Sequence, residues 1–127
     1  MGALDPKKED PAKYRDYEVA LDEINAGAGC VLVAELDGDV VGTVQMVIFR
    51  HLQEQGRRCA ELESMHVHPD YRSHGVGGVL LAAAEEYAQA AGCYRIQFTS
   101  NKLRTDAHRF YERRGYEPSH VGFKRRL

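Results

Sequence analysis

The strongest constraint on the fold lies in residues 61–78, ELESMHVHPDYRSHGVGG, where an extended apolar run breaks at His68-Pro69-Asp70 and passes through a glycine-rich turn into a long alanine-rich helix. Within the turn, Arg72-Ser73-His74-Gly75-Val76-Gly77 has the spacing Arg-x-x-Gly-x-Gly. Glycines at those points let main-chain N–H groups come close to an anion, at the positive end of a helix dipole. A linked pair of phosphates suits such a cradle. Two other phosphate loops are excluded by the residues that follow. A Walker-type loop needs Lys-Ser/Thr after its glycines, where this chain has Gly78-Val79. A dinucleotide fingerprint needs a glycine where Leu80 stands.

The rest of the chain supplies a sheet for this turn to sit on. Asp10-Pro11 reads as an N-cap with proline at the first helical position, and Tyr14, Tyr17, Leu21 and Ile24 recur at helical spacing up to Gly27, predicting a helix over 11–26. CVLVAEL at 30–36 and the apolar run at 40–49 flank Asp37-Gly38, which predicts a β-hairpin. Gly56 turns the chain into a third strand at 58–67. After the glycine turn, Leu80, Ala83, Ala84, Tyr87, Ala88 and Ala91 form an apolar stripe, so a helix is expected over 77–91 with Gly92 just past its end. Alternation in 94–100 predicts a strand parallel to 61–67, reached by a right-handed crossover. Thr105-Asp106 is expected to cap a short helix over 106–114 that Gly115 ends, and 116–119 and 121–127 are expected as two final strands.

Length and charge limit the function. The 127 residues fit one domain, expected to run from 11 to 127 behind a flexible segment 1–10. Lys+Arg 17 against Asp+Glu 19, a net charge of −2, argues against nucleic-acid binding by phosphate neutralisation, with Lys124-Arg125-Arg126 read as a solvated tail or strand edge. No apolar run approaches the ~20 residues of a membrane span, and MGALDPKKED has no signal-peptide core, so a soluble, cytoplasmic protein is expected. Cys30, Cys59 and Cys93 show no Cys-x-x-Cys spacing and read as reduced thiols beside strands.

Three pieces in order resemble the Gcn5-related N-acetyltransferase (GNAT) family, as a small bacterial-type single-domain member. They are Met65-His66-Val67 running into Arg72–Gly77, Asn101 after the next strand, and Ala107-His108-Arg109-Phe110-Tyr111 with Gly115-Tyr116. The likeness covers roughly residues 30–127. It implies the α/β acyl-CoA N-acyltransferase fold: a mixed, mostly antiparallel sheet with a central, splayed parallel strand pair flanked by helices. The family usually has a strand and a helix ahead of the helix at 11–26, and the ten residues before Pro11 are too few for both. Either the true start lies upstream or this chain lacks that strand, and the first strand is expected to be absent. That leaves a sheet edge beside the hairpin that a homodimer would cover.

The resemblance also implies a site. Main-chain N–H groups of Arg72, Ser73, His74, Gly75, Val76, Gly77 and Gly78 would hold the diphosphate of acetyl-CoA, with charge from Arg72. Main-chain groups of Met65 and Val67, with His66 between, would bond the pantetheine arm and polarise the thioester carbonyl. Tyr111 is the implied general acid for the departing thiolate. Asn101 resembles the family asparagine that reaches the co-substrate, and it reads equally as a turn former. Glu61 and Glu63 share a strand face by the period-two rule, and either could be the base that takes a proton from the amine, with Glu63 placed nearer the thioester.

His66 and His68 share no third or fourth ligand at zinc spacing, so no metal is expected. His74 reads as a donor beside the co-substrate and His108 as a surface residue. The expected activity is acetyl transfer from acetyl-CoA to a primary amine of a small molecule or peptide, by direct attack in a ternary complex. No cysteine is placed as a nucleophile. Acceptor choice is expected from the early helix and the 50–58 loop, with His51, Glu54, Arg57 and Arg58. Two alternatives remain: a module that binds acyl-CoA without catalysis, and an interaction or assembly protein.

Overall fold

The computed structural model of the protein describes residues 10–127. The expected flexible segment 1–10 lies outside the described residues apart from Asp10. The Asp10 carboxylate accepts from the Ala12 N–H at 2.9 Å, and Pro11–Lys13 make one 3-10 turn that leads into helix α1, Tyr14–Ala26. Strands β1, Cys30–Leu36, and β2, Asp39–Arg50, form the hairpin. Its turn residues Asp37 and Gly38 have φ of 51° and 85°, the left-handed pair that matches the twist of a two-residue hairpin. Strand β3, Arg58–Val67, lies antiparallel to β2, and helix α2, Val76–Ala90, crosses over to strand β4, Cys93–Gln97, parallel to β3. Helix α3, Thr105–Arg113, follows. The sheet order is β1-β2-β3-β4.

The core lies between the sheet and α2. Val44, Met46, Ala60 and Leu62 from the strands meet Leu80, Leu81, Ala84 and Ala88, all fully or almost fully buried. Each buried leucine contributes about 1.5–3 kcal/mol relative to exposure. Gly42 lets the start of α2 settle on the sheet. A Cβ there would stand 2.9 Å from Leu80 Cδ1 and 3.0 Å from Val76 Cγ1.

A β-bulge in β3 sets which side chains face this core. Thr43 pairs with His66 and Gln45 with Glu63, so two steps on β2 oppose three on β3, and Ser64 takes up the extra residue at φ 52°. The bulge shifts the alternation by one. Met65 joins Ala60 and Leu62 in the core, while Glu61, Glu63 and His66 oppose Val47, Gln45 and Thr43 on the face away from α2.

Three expectations are corrected. β4 stops at Gln97, so its ladder with β3 spans 58–61 and not 61–67. Thr105 does not cap α3: it is the first helical residue, and Arg104 stands at the N-cap without a side-chain cap bond. Residues 116–127 form no strand. A strand needs a hydrogen-bonded neighbour, and although Gly122 passes beside Thr99, β4 has already ended there. Val121 and Phe123 are 79% and 96% exposed. Among the described residues nothing pairs with the outer edge of β1, where Val33 is 51% exposed.

Candidate functional site

The site begins where the parallel ladder ends. β3 and β4 pair as far as Glu61 opposite Gln97; beyond that, 62–67 remain bonded only to β2, and 98–100 leave strand geometry. The two chains therefore open into a gap. His68 N–H donates to Val41 O at 2.8 Å, toward β2. By strand alternation the N–H groups of Val67 and Met65 point the other way, into the gap. Across it, Ser100 Oγ is buried with no hydrogen-bond partner. A buried polar atom left in that state calls for a ligand or a water.

The gap runs into the glycine turn. Pro69–Tyr71 form a 3-10 turn, and then Ser73 at φ 64° and Gly75 at φ 80° take left-handed backbone on either side of His74. Only glycine adopts that conformation freely, and a serine there costs roughly 1–2 kcal/mol. Val79 N–H already donates to Gly75 O at 3.1 Å, so the free donors at the head of α2 are those of Val76, Gly77 and Gly78. With the left-handed turn before them they form a concave row of N–H groups, a shape that binds anions. Arg72 folds back, its Nε donating to Val67 O at 3.4 Å, and His74 Nδ1 donates to Arg72 O at 2.8 Å. These bonds hold the turn and leave the Arg72 charge at its mouth.

The third wall is α3. Tyr111 is buried at 8% exposure, its ring 4.5 Å from that of Phe98 and 5.3 Å from that of Phe110. Its hydroxyl points to Met65 Sδ at 3.9 Å, beside the gap. Burial raises its pKa above the ordinary phenol value, opposed in part by Arg104, so it is a phenol with its proton at neutral pH. Tyr111 is thus both packed in the core and next to the residue whose N–H enters the gap.

The other expected residues are placed less evenly. Glu61 Oε2 accepts from Gln97 Nε2 at 2.7 Å at the point where the strands part. Glu63 is half-buried on the same face, opposite Gln45. Asn101 is spent on its turn: Oδ1 accepts from Leu103 N–H at 2.9 Å, and its carbonyl accepts from Arg104 N–H and from His108 Nε2. His66 is half-buried, and its Nδ1 is shut from water with no partner. Burial, then Arg72, His68 and Arg104, lower its pKa below the ordinary imidazole value. Among the described residues no group of three or more His, Cys, Asp or Glu is gathered to hold a metal ion.

Sequence reasoning missed Arg114 and Ser100. The Arg114 guanidinium lies against Gly78 in the first turn of α2, stacked 4.6 Å over the Phe110 ring. A cation at a helix N-terminus opposes the dipole, so its presence there suits a site that takes an anion. Its place after the Phe-Tyr pair was visible in the sequence, but nothing there said that it would reach across to α2.

Comparison with known proteins bears on this geometry. The model of the Acetyltransferase (GNAT) family matches residues 3–116, starting ahead of the domain boundary expected at 11. The aminoalkylphosphonate N-acetyltransferase of Salmonella typhimurium is 38% identical over 91 residues, 72% of this chain and 58% of that protein. This chain thus spans little more than half the length of that relative. A structure described as a transcriptional regulator from Bacillus halodurans superposes with a TM-score of 0.85 at 32% identity, covering 94% of this chain and 87% of that one. The structure of AAC(6')-Iy in complex with a bisubstrate analog of CoA has a TM-score of 0.76 at 24% identity, over 96% of this chain and 83% of that one, a likeness of fold.

Proposed function

The chain belongs to the acetyltransferase (GNAT) family, and on that premise we propose that it transfers acetyl from acetyl-CoA to a primary amine of a small molecule or peptide, by direct attack within a ternary complex. The observation that carries this reading is the gap itself. Two parallel strands part after Glu61 and Gln97, strand alternation turns the Met65 and Val67 N–H groups toward the opening, and the glycine turn closes one end. The fit to acetyl-CoA rests on the same features together with the partnerless Ser100 Oγ.

In this reading the N–H groups of Ser73 through Gly78, with the charges of Arg72 and Arg114, take the diphosphate, while the Arg72 N–H stays bonded to Pro69 O at 3.4 Å. Met65 and Val67 take the pantetheine arm as a further strand would, with Asn101 at the far rim. Acetyl-CoA supplies the activated thioester. The Met65 N–H meets the carbonyl oxygen where charge develops during attack, so it favours the transition state over the ground state. Tyr111, kept protonated by burial, gives its proton to the departing sulfur. Glu63 and Glu61 line the face from which the amine arrives, hold its ammonium and offer its proton a way out.

The test is acetyl transfer and acetyl-CoA hydrolysis by the purified chain over a panel of polyamines, amino acids, aminoglycosides, peptides and aminoalkylphosphonates. The Salmonella relative's name puts the last class first. Turnover on one class supports the proposal. Acetyl-CoA binding with no turnover on any would make the chain a non-catalytic acyl-CoA module. The same proposal includes a cytoplasmic location and a second copy of the chain pairing along the open edge of β1, which sedimentation would show as a dimer. No described helix is long and apolar enough to cross a membrane.

A further inference from the structure

The sheet face that carries Glu61 and Glu63 holds a second group of polar side chains at its other end. Arg95 stands two residues before Gln97 on β4, and since Gln97 bonds Glu61 on the face away from α2, Arg95 shares that face. The loop between β2 and β3 closes over the same place. Glu54, Gln55 and Gly56 take left-handed backbone in succession, and His51 N–H donates to Arg57 O at 2.9 Å, which brings Arg57 back beside β4. The Arg57 and Arg95 guanidiniums lie 5.0 and 5.3 Å from the centre of one ring, that of Tyr94. Both arginines are exposed, and among the described residues neither has a carboxylate partner. Their neighbours Arg50 and Arg58 are spent on the main-chain carbonyls of Gly56 and Ala91. Arg95 Nη2 lies 3.4 Å from His51 Nε2, and Tyr94 Oη lies 2.7 Å from His51 Nδ1. A guanidinium only donates, so Nε2 accepts, and Nδ1–H donates to the Tyr94 oxygen. The hydrogen of the Tyr94 hydroxyl is then left to donate elsewhere.

Resting on the acetyl-transfer reading above, we propose that Arg57, Arg95 and Tyr94 bind an anionic group on the acceptor, so that the protein takes amines that also carry a carboxylate, phosphate or phosphonate. Two like charges gathered on one ring repel each other, and an anion set between them removes the repulsion while taking charge-assisted hydrogen bonds from both and from the hydroxyl. Strand rise sets the spacing. Glu61 and Glu63 stand two and four residues along β3 from Cys59, the partner of Arg95, which is roughly 7 and 13 Å. An acceptor lying along this face puts its anion on the arginines and its ammonium on the glutamates, where β3 and β4 part and the gap opens. The order of charges on the face therefore aims the nitrogen at the thioester. A polyamine or an aminoglycoside would set a cation against the arginines instead.

The experiment measures kcat/KM for ω-aminohexanoate, ω-aminohexylphosphonate, the neutral amide of the first and hexanediamine, with the wild type, R57Q/R95Q and R57K/R95K. In parallel, the Nε–H signals of Arg57 and Arg95 are followed by ¹⁵N NMR while methylphosphonate is added to the wild type. The wild type should prefer the anionic acceptors to the amide by about 10-fold and to the diamine by more. R57Q/R95Q should bring the preference over the amide close to one, R57K/R95K should keep most of it, and added salt should shrink it. Whichever anion leads identifies the group that the site takes. Equal use of amide and anions by the wild type, or a preference that persists in R57Q/R95Q, overturns the assignment. A wild type that acetylates no amine refutes the underlying reading instead, and the NMR arm then decides the anion site: shifted Nε–H signals support it and unmoved ones overturn it.

Discussion

Helices α1 and α2 have similar sequence credentials and opposite fates. Both carry an apolar stripe at helical spacing, yet α2 buries Gly78, Leu80, Leu81, Ala84 and Ala88, while α1 buries no side chain at all. Tyr14 and Leu21 on α1 are 61% and 44% exposed, and Ile24 alone on that helix is half-buried. Periodicity says that a helix has a face to bury; it does not say against what. For α2 the sheet supplies the answer at Gly42 and Leu62. The difference also sorts the molecule by task, because the gap, the glycine turn and Tyr111 are all built on the α2 side.

Substitutions can break or sharpen this contrast. The largest effect is expected at the buried end: Tyr111→Phe keeps the ring packing on Phe98 and Phe110, so it should lower kcat by about 10²–10⁴-fold with little change in acetyl-CoA affinity. Unchanged turnover would remove Tyr111 from the chemistry. Leu81→Ala, in the core under α2, should cost about 2–5 kcal/mol in urea unfolding, whereas Leu21→Ala on α1 should stay within about 0.5 kcal/mol. Equal losses would mean that α1 is packed in solution.

Arg114→Met retains contact with Gly78 and Phe110 but drops the charge, so acetyl-CoA affinity should fall about 2–5-fold, and the difference should shrink with added salt. A weaker signature is alkaline. Burial raises Tyr111 and Tyr116 above the free phenol value, Tyr116 also through the 2.9 Å bond it donates to Glu85. As pH climbs past about 10 the unfolded chain releases those protons first, so stability present below that pH is lost above it. Tyr116→Phe should flatten this loss, and a melting temperature level from pH 9 to 11 would count against both shifts.

How much could be read in advance divides along physical lines. The hairpin turn at Asp37-Gly38, the end of α2 at Gly92 and the end of α3 at Gly115 were legible because positive φ is a local demand that the sequence writes in local residues. The glycine turn was legible for the same reason, although the left-handed Ser73 inside it was not. The cap of α3 was misread because Asn101, three residues before Arg104, makes the turn that Thr105-Asp106 seemed to announce. The two final strands were misread because strand pairing is non-local, and β4 ends before they arrive. The bulge at Ser64 carries no sequence mark, yet it decides that Met65 enters the core while Glu63 and His66 face the other way.

The central claim is that amides of the glycine turn grip the two linked phosphates of acetyl-CoA. Calorimetric titration of the purified chain with CoA and, in parallel, with pantetheine tests it most directly. Hydrogen bonds to charged groups contribute about 1.5–3 kcal/mol each, so CoA should bind at least ~100-fold more tightly than pantetheine. Equal affinity for the two, or no measurable heat with CoA, would contradict the account.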